Sequence, residues 1–542
     1  MVRRPAVPVT HCGRSPGLET RGGGHLHAIL VAASCLLASF VPYAAGYVSS
    51  SSDLRFGGLL LTHLDDVHGY LATMHLGARG SPEFHILHTP EQHPGAYLYL
   101  FYLALGRIAK ALGVSMLTAY HLARLAAAGC LLAAIYWFIA TFVSHARTRL
   151  HAYILASAGS GFGWLALLFL RGRKECPMDF VLSDLYTFPT MSLFPHGSLA
   201  VAIVLAIFVL WHRCRLEARG RCLAGMAGLS ILLSIVQPIC SVVAIVTGAA
   251  LCVVLAALAR RVPRRDCAAL LALGAASLPA GSYYLWLMAT NQVVRSWQEQ
   301  NLTPSPPPAA WLAGLGVILP LAIIGVRWLS RESLLLAVWP LTVSFLLYLP
   351  RLPQRRFAQG VLVPLGALAA LGMDRLFGQE GRRAEVASHV VLCIAVLSNV
   401  SFVALHTRMC LARPEPIFHP RDELEALAWL ESNSSPEDTV LAGPRTGAFI
   451  PAAVGHRVFW VHWCETINLE EKRRQFDAFF AQETADQWRH RFLTRYNIRY
   501  LFYGPQERNW GDFCPSEAGY LRKRFQVGRY AIYQVLPGSD AP

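Results

Sequence analysis

The sequence predicts a mainly α protein: a polytopic helical membrane bundle of about 11 to 13 helices, followed by a small C-terminal α/β domain. Three observations lead there. Of 542 residues, 54% are hydrophobic and 15% charged, where a soluble chain carries about 25% charged residues. Apolar runs of about 20 residues, the length that crosses a bilayer, recur through the first three quarters of the chain. From about Arg408 the composition turns into that of a soluble domain.

Residues 1–25 are rich in Arg, Gly and Pro and read as a disordered cytoplasmic N-terminus. The first apolar run, Ala28–Val48, is long enough for an uncleaved anchor. A polar, histidine-rich loop, 49–97, follows, and then Pro94–Leu112, which carries Arg107 and Lys110 and reads as a partial or juxtamembrane helix. Ten further apolar runs extend to Leu405, which with the first makes eleven crossings within a membrane domain of 26–406. Basic clusters at 145–149, 213–221, 260–265, 327–331 and 375–383 separate them, and the positive-inside rule places these in the cytoplasm. The acidic loop, the 175–197 loop, the Pro-rich 291–310 loop, the Arg351–Arg356 loop and the C-terminal region then share the outer side. Arg171, Arg173 and Lys174 go against this map.

The formal charge of +15 comes from those clusters, so no nucleic-acid partner is implied. The thirteen cysteines form no CxxC pair and no zinc spacing, and several lie inside apolar runs; Cys464 and Cys514 could pair. In the soluble part, 407–542, helices are expected at Asp422–Glu431, Leu469–Phe480 and Asp486–Tyr496. Strands are expected at Thr439–Gly443, Arg457–Val461, Arg499–Tyr503 and Tyr530–Val535. Neither GxGxxG nor a P-loop is present, so no nucleotide is assigned.

The chemistry-bearing residues gather in the outer loops. Asp65 and Asp66 lie just beyond the first apolar run, and a carboxylate there is costly unless it faces water or does chemistry. Adjacent carboxylates on a regular element cannot both enter one pocket, so one acts as base and the other braces the loop or shares a cation. Asp66 is favoured as the base, being nearer Gly69-Tyr70, which reads as a turn into a short helix. Histidines 63, 68, 75, 85, 88 and 93 could supply ligands to a divalent cation, although no HExxH-type spacing is present, and the metal stays open. Tyr70, Glu91 and His93 in the first loop are candidate substrate-binding residues, as are Asp184 and His196 in the second, where Asp179 could complete an acidic site. Arg355 and Arg356 suit phosphate capture. Asn301-Leu-Thr303 and Asn433-Ser-Ser435 fit the glycosylation sequon.

With these pieces in place, the chain resembles GT-C superfamily membrane glycosyltransferases, in their bacterial mannosyltransferase-like and arabinosyltransferase-like branches. Those proteins place an Asp-containing motif in the first outer loop, matched by Leu64-Asp65-Asp66-Val67-His68-Gly69-Tyr70. A Pro-led apolar helix ending in Gly and an Arg-bearing helix follow, matched by His93-Pro94-Gly95-Ala96-Tyr97 through Gly113 and by Tyr120–Arg124. A late Arg-aromatic pair is matched by Arg356-Phe357. The soluble end resembles the outer domains of such proteins at Pro451–Gly455, His462–Thr466 and Tyr503–Arg508. Neither a Lys nor a Pro-Pro follows the acidic loop where many relatives have one, so the sugar and acceptor do not carry over.

The resemblance implies an inverting transfer from a polyprenyl-phosphate sugar donor to a lipid or glycan acceptor, on the outer face of what is expected to be a bacterial plasma membrane. Asp65 or Asp66 would deprotonate the acceptor, and Arg355 or Arg356 would stabilise the departing lipid phosphate. The rival classes are a transporter or flippase of lipid-linked sugars and a non-catalytic membrane scaffold.

Overall fold

The computed structural model describes residues 21–169, 177–217, 220–350 and 353–537. The first twenty residues, the basic cluster at 171–174 and Arg351 lie outside them. Helix α1 (Arg21–Val48) begins earlier than its apolar run and takes in 21–25, which the sequence assigned to a disordered leader.

Strand β1 (Leu54–Phe56), α2 (Leu64–Ala78) and α3 (Leu100–Leu112) make up the 49–97 loop and its exit. The two short helices pack backbone to backbone through a pair of glycines. A Cβ on Gly77 would strike the Leu103 carbonyl, and one on Gly106 would strike that of Met74. The expected turn at Gly69-Tyr70 is absent: both residues lie inside α2, whose first turn carries Asp65 and Asp66.

The bundle continues with α4 (Met116–Phe142), α5 (Ala146–Ala158), α6 (Gly163–Phe169), α7 (Met178–Val181), α8 (Thr187–Leu193), α9 (Pro195–Glu217) and α10 (Gly220–Val236). Then come α11 (Pro238–Ala259), α12 (Arg264–Thr290), α13 (Gln292–Gln300), α14 (Pro308–Leu315), α15 (Ile318–Val326), α16 (Leu335–Leu346), α17 (Leu362–Phe377) and α18 (Arg382–Ala412). Among the described residues six helices, in α1, α4, α9, α11, α12 and α18, are long and apolar enough to cross a membrane. The α14–α15 pair, bent by 92°, makes a seventh if taken as one span. The remaining expected crossings fold as shorter helices. The 12 residues of α16 extend only about 18 Å at 1.5 Å per residue, against a hydrocarbon core of about 30 Å.

The run expected at 151–170 breaks at Gly159-Ser160-Gly161. Buried Asp179 accepts from the amides of Gly161 at 3.2 Å and Gly163 at 3.0 Å. Asp179 therefore caps α6 and does not join an acidic site. At the bundle centre, Phe208 and Phe138 pack edge-on against buried Trp339 at 4.9 and 6.1 Å between ring centroids.

The C-terminal domain contains β2 (Phe418–Pro420), α19 (Arg421–Asn433), β3 (Thr439–Leu441), α20 (Pro444–Val454), β4 (Arg457–Val458), α21 (Leu469–Phe480), α22 (Asp486–Arg495), β5 (Ile498–Tyr503), β6 (Leu521–Val527) and β7 (Tyr530–Val535). Strands β3 to β7 form one mixed sheet in the order β4-β3-β5-β7-β6, parallel across the first three and antiparallel beyond. Alternate strand residues face opposite ways. Leu441, Leu501 and Tyr533 pack with Phe476, Phe479 and Phe492, while Val440, Phe502 and Ile532 pack with Leu427, Leu430 and Ile450.

Strands β1 and β2 pair antiparallel, Arg55 opposite His419. One follows α1 and the other follows α18, so both helices run toward the same end of the bundle. The C-terminal domain is thus fastened to the 49–97 loop. Arg79 strengthens the joint, donating from its two terminal nitrogens to the carbonyls of Gly455 at 2.6 Å and Val454 at 2.7 Å at the end of α20.

Candidate functional site

The site is built on the first turn of α2. Carboxylates there are favoured by the amide-rich end of the helix. Successive helical side chains point about 100° apart, which sends Asp65 into solvent and turns Asp66 inward. His63, in the left-handed region at φ 59°, folds its ring back across the helix start. Its Nδ1 lies 3.0 Å from Asp66 Oδ2 and its Nε2 lies 3.0 Å from the Val181 carbonyl oxygen. Both partners accept, so the ring serves them best as an imidazolium that donates twice. Burial opposes that charge, but the Asp66 hydrogen bond and the fields of Asp66 and Asp184 raise the His63 pKa overall. Burial likewise works against ionised Asp66, and the bond from His63 with the charges of His63 and Arg356 still holds its carboxyl below the usual range. Oxygen Oδ1 of Asp66 accepts no hydrogen bond from the described residues.

One turn further on, Tyr70 stacks flat on Tyr102 at 4.4 Å and meets the edges of His196 at 5.0 Å and Phe194 at 6.0 Å. Tyr102 Oη and His196 Nδ1 are 2.6 Å apart, which fixes this wall. Burial first, then the Asp66 charge, push the Tyr70 phenol well above its ordinary pKa, so it remains a hydroxyl.

The opposite charge arrives on the 3₁₀ turn Gln354–Ala358. Arg356 donates from Nη2 to Asn301 Oδ1 at 3.3 Å. Burial disfavours its charge, but Asp184, Tyr99, Tyr70 and Asp66 outweigh that and raise its pKa. Arg355 Nε lies 3.8 Å from Asp184 Oδ2, and its amide donates to the Thr303 carbonyl at 3.1 Å. Four segments therefore converge: the start of α2, the 181–196 segment, the Pro-rich loop and the 354–358 turn.

Of the residues singled out in the sequence, Asp66, Tyr70, Asp184, His196, Arg355 and Arg356 come together here. Asp65 sits at the rim, exposed, and among the described residues makes no side-chain hydrogen bond that would brace the loop; its field is felt by His462. Glu91 and His93 belong elsewhere. Glu91 Oε2 accepts from Lys472 Nζ at 2.6 Å and from the Thr89 hydroxyl. The His93 ring takes the Ile86 amide at 3.0 Å and contacts the Glu91 carbonyl at 2.9 Å. Both line a cleft of about 760 Å³ between the 49–97 loop and the C-terminal domain. Their polar atoms close the loop on itself and on Lys472, which removes them from the Asp66 centre.

Several neighbours of the site were read differently in the sequence. Asn301, half of an apparent sequon, is buried at 5% exposure and holds Arg356. Cys464 is buried, Cys514 is exposed, and both are free thiols. Glu465 reaches α2 from the C-terminal domain: its Oε2 lies 2.7 Å from His88 Nδ1, and its Oε1 would stand 3.1 Å from a Cβ on Gly69. Glycine inside a helix costs about 1 kcal/mol relative to Ala. Gly69 was thus the one local sign that another part of the chain approaches there.

Among the described residues, no group of three or more His, Cys, Asp or Glu is arranged to hold a metal ion. Four first-loop imidazoles are engaged otherwise: His63 with Asp66, His75 with the Ala452 carbonyl, His88 with Glu465 and His93 with the Ile86 amide.

No protein-family model matches the sequence, and no curated protein matches it. Solved structures match its fold. ArnT from Cupriavidus metallidurans bound to undecaprenyl phosphate superposes with a TM-score of 0.51 at 12% identity, over 95% of this chain and 99% of that one. Archaeal oligosaccharyltransferase AglB from Archaeoglobus fulgidus, in complex with an inhibitory peptide and a dolichol-phosphate, gives 0.52 at 12% identity over 95% and 75%. Arabinofuranosyltransferase AftD from Mycobacteria gives 0.56 at 15% identity; 94% of this chain is covered, but only 40% of AftD. At such identities the fold is what is shared. The chain is a multi-pass integral membrane protein with the GT-C glycosyltransferase fold.

Proposed function

We propose that this protein is a membrane glycosyltransferase that moves a sugar from a polyprenyl-phosphate donor to an acceptor hydroxyl at the outer face of the membrane, with inversion at the anomeric carbon. The observation that carries the reading is the meeting of the Asp66 carboxylate, one oxygen open, with the Arg356 guanidinium in one aromatic-walled site. The chemistry divides between them. His63 fixes Oδ2, which leaves Oδ1 to accept a hydrogen bond from the acceptor hydroxyl. As the acceptor oxygen bonds to the anomeric carbon, the bond from that carbon to the phosphate oxygen breaks and its electron pair leaves with the lipid phosphate. Asp66 takes the acceptor proton. Arg356 and Arg355 answer the charge growing on the phosphate, and the Tyr70 hydroxyl supplies a further donor.

The ArnT and AglB structures contain polyprenyl-type phosphates, which supports that donor class here. Sidedness rests on the basic clusters, which join helices at the far end of the bundle and contact one another there, as Arg147 does Gln379 and Arg265 does Arg215. Purified protein incubated with a panel of polyprenyl-phosphate sugars should turn over at least one donor, measured as sugar released or transferred. If labelled lipid-linked sugar crosses a bilayer and no donor is consumed, the protein is a transporter and the reading fails.

A further inference from the structure

At the end of the bundle away from the Asp66 site, a cavity of about 870 Å³ opens where α9, α11 and α12 meet. The 22 residues of α11 set this end about 33 Å from the outer one, where Cys240 touches Gln359. Five arginines line the cavity, Arg215, Arg261, Arg264, Arg265 and Arg331, against one carboxylate, Asp266. That carboxylate is already engaged: its Oδ1 takes the Trp211 indole N–H at 2.9 Å and lies 3.2 Å from Arg215 Nε. Among the described residues, none of the other four arginines has a carboxylate partner.

Two of those four are aimed by the backbone. Arg265 donates from Nη1 to the carbonyls of Arg215 at 2.7 Å and Leu216 at 3.3 Å, which the end of α9 leaves unpaired. Arg331 donates from Nη2 to the Leu258 carbonyl at 3.4 Å. Arg261 and Arg264 are exposed at the rim and, among the described residues, have no side-chain hydrogen-bond partner. Clustered charge is expected on this side from topology alone. A concave site with oriented guanidinium forks and an excess of four positive charges is more than topology requires.

One side of the cavity, formed by Leu255, Leu258, Ala259, Val262 and Pro263, is apolar. Leu258, 49% exposed, and Val262, 68% exposed, carry it onto the outer face of α11, where Val253 is 69% exposed. We propose that this cavity binds the phosphate headgroup of an anionic phospholipid, the guanidinium forks taking the phosphate oxygens and the acyl chains lying along α11. A free phosphate would use the same forks but not the apolar wall.

Native mass spectrometry of the full-length protein in detergent tests this. Wild type should retain phosphatidylglycerol in preference to phosphatidylcholine, and millimolar inorganic phosphate should not displace it. The double variant R261Q/R264Q removes two side chains that hold nothing else in place. It should weaken phosphatidylglycerol binding about thirtyfold, from about 1 kcal/mol for each arginine near the lipid surface. R382Q/R383Q, an equal charge loss at another exposed cluster, should leave binding as it was. Equal retention of the two lipids, or equal weakening in both double variants, would reduce the site to general surface charge. Full displacement by inorganic phosphate would make it a soluble-anion site. The comparison of lipids on wild type decides the matter even if a variant does not fold.

Discussion

Two charged centres grow from the same loop, 49–97, about 25 residues apart, and they end differently. At Asp66 one carboxylate oxygen is paired and the other is open, facing tyrosines and an arginine brought from the far end of the membrane domain. At Glu91 one oxygen takes both side-chain donors, one of them a lysine ammonium. Lys472 Nζ reaches Glu91 Oε2 at 2.6 Å and the Thr89 hydroxyl at 2.9 Å, and Arg457 holds the carbonyls of Thr89 at 3.2 Å and Glu91 at 3.0 Å. The difference lies in what answers the charge. A lysine ammonium and a hydroxyl both bond one oxygen of Glu91, and that ion pair fastens the loop to the C-terminal domain. At Asp66 a single histidine bonds one oxygen, and the other faces the aromatic wall and Arg356, where it can act on a ligand.

If that contrast is sound, Asp66→Asn gives the largest effect, a loss of transfer rate of about 10²–10⁴-fold, as expected for a general base. Stability should fall by no more than the charged hydrogen bond to His63, about 1.5–3 kcal/mol. Glu91→Gln, assayed alongside, should keep its rate within a few-fold. Full activity in Asp66→Asn would remove this centre from the chemistry and end the comparison.

Next in size is Lys472→Met, which should destabilise the protein by about 3 kcal/mol, toward the low end for breaking a buried pair because Glu91 remains one-third exposed. Its pH signature is specific. Burial, only partly offset by Glu91, holds the Lys472 pKa down to about 8. The unfolded chain keeps that proton up to about 10.4, so between these values the unfolded state binds more protons and stability rises with pH. That rise should be present in wild type and missing from Lys472→Met when unfolding is followed in detergent from pH 7 to 10.5. An unchanged slope in the variant would show that Lys472 is not the titrating fastener.

The smallest effect is expected at Asp65. Exposed and without a hydrogen-bonded partner, Asp65→Asn should shift stability by less than about 0.5 kcal/mol and transfer rate by no more than a few-fold. A loss equal to that of Asp66→Asn would show that the two carboxylates act as a pair and that the inward turn of Asp66 does not single it out.

Local pattern explains which elements were legible. Leu469–Phe480 and Tyr530–Val535 were expected at those residues and occur at them, since each has a clear apolar period. Helix α20 was missed because Pro444, Gly447 and Pro451 read as loop, yet Pro444 lies in its first turn and packing on α2 carries the rest. Strand β6 was missed because Arg522, Lys523 and Arg524 interrupt the alternation. It is an edge strand, where such charges discourage further pairing.

By itself the sequence determined that this chain is a membrane bundle with a soluble α/β end. It also gathered polar residues in the loops between helices, Asp66 and Arg356 among them. Those are properties of single residues and short windows: apolar length, charge and proximity to a helix end. Only the tertiary structure decided that Asp66 and not Asp65 faces inward, that Glu91 and His93 serve as a fastener, and that Asn301 steadies an arginine. Each of those outcomes depends on which donor lies within about 3 Å of a given oxygen. The donors concerned, Lys472 for Glu91 and Arg356 for Asn301, are distant in the chain and take their places only when the loops pack.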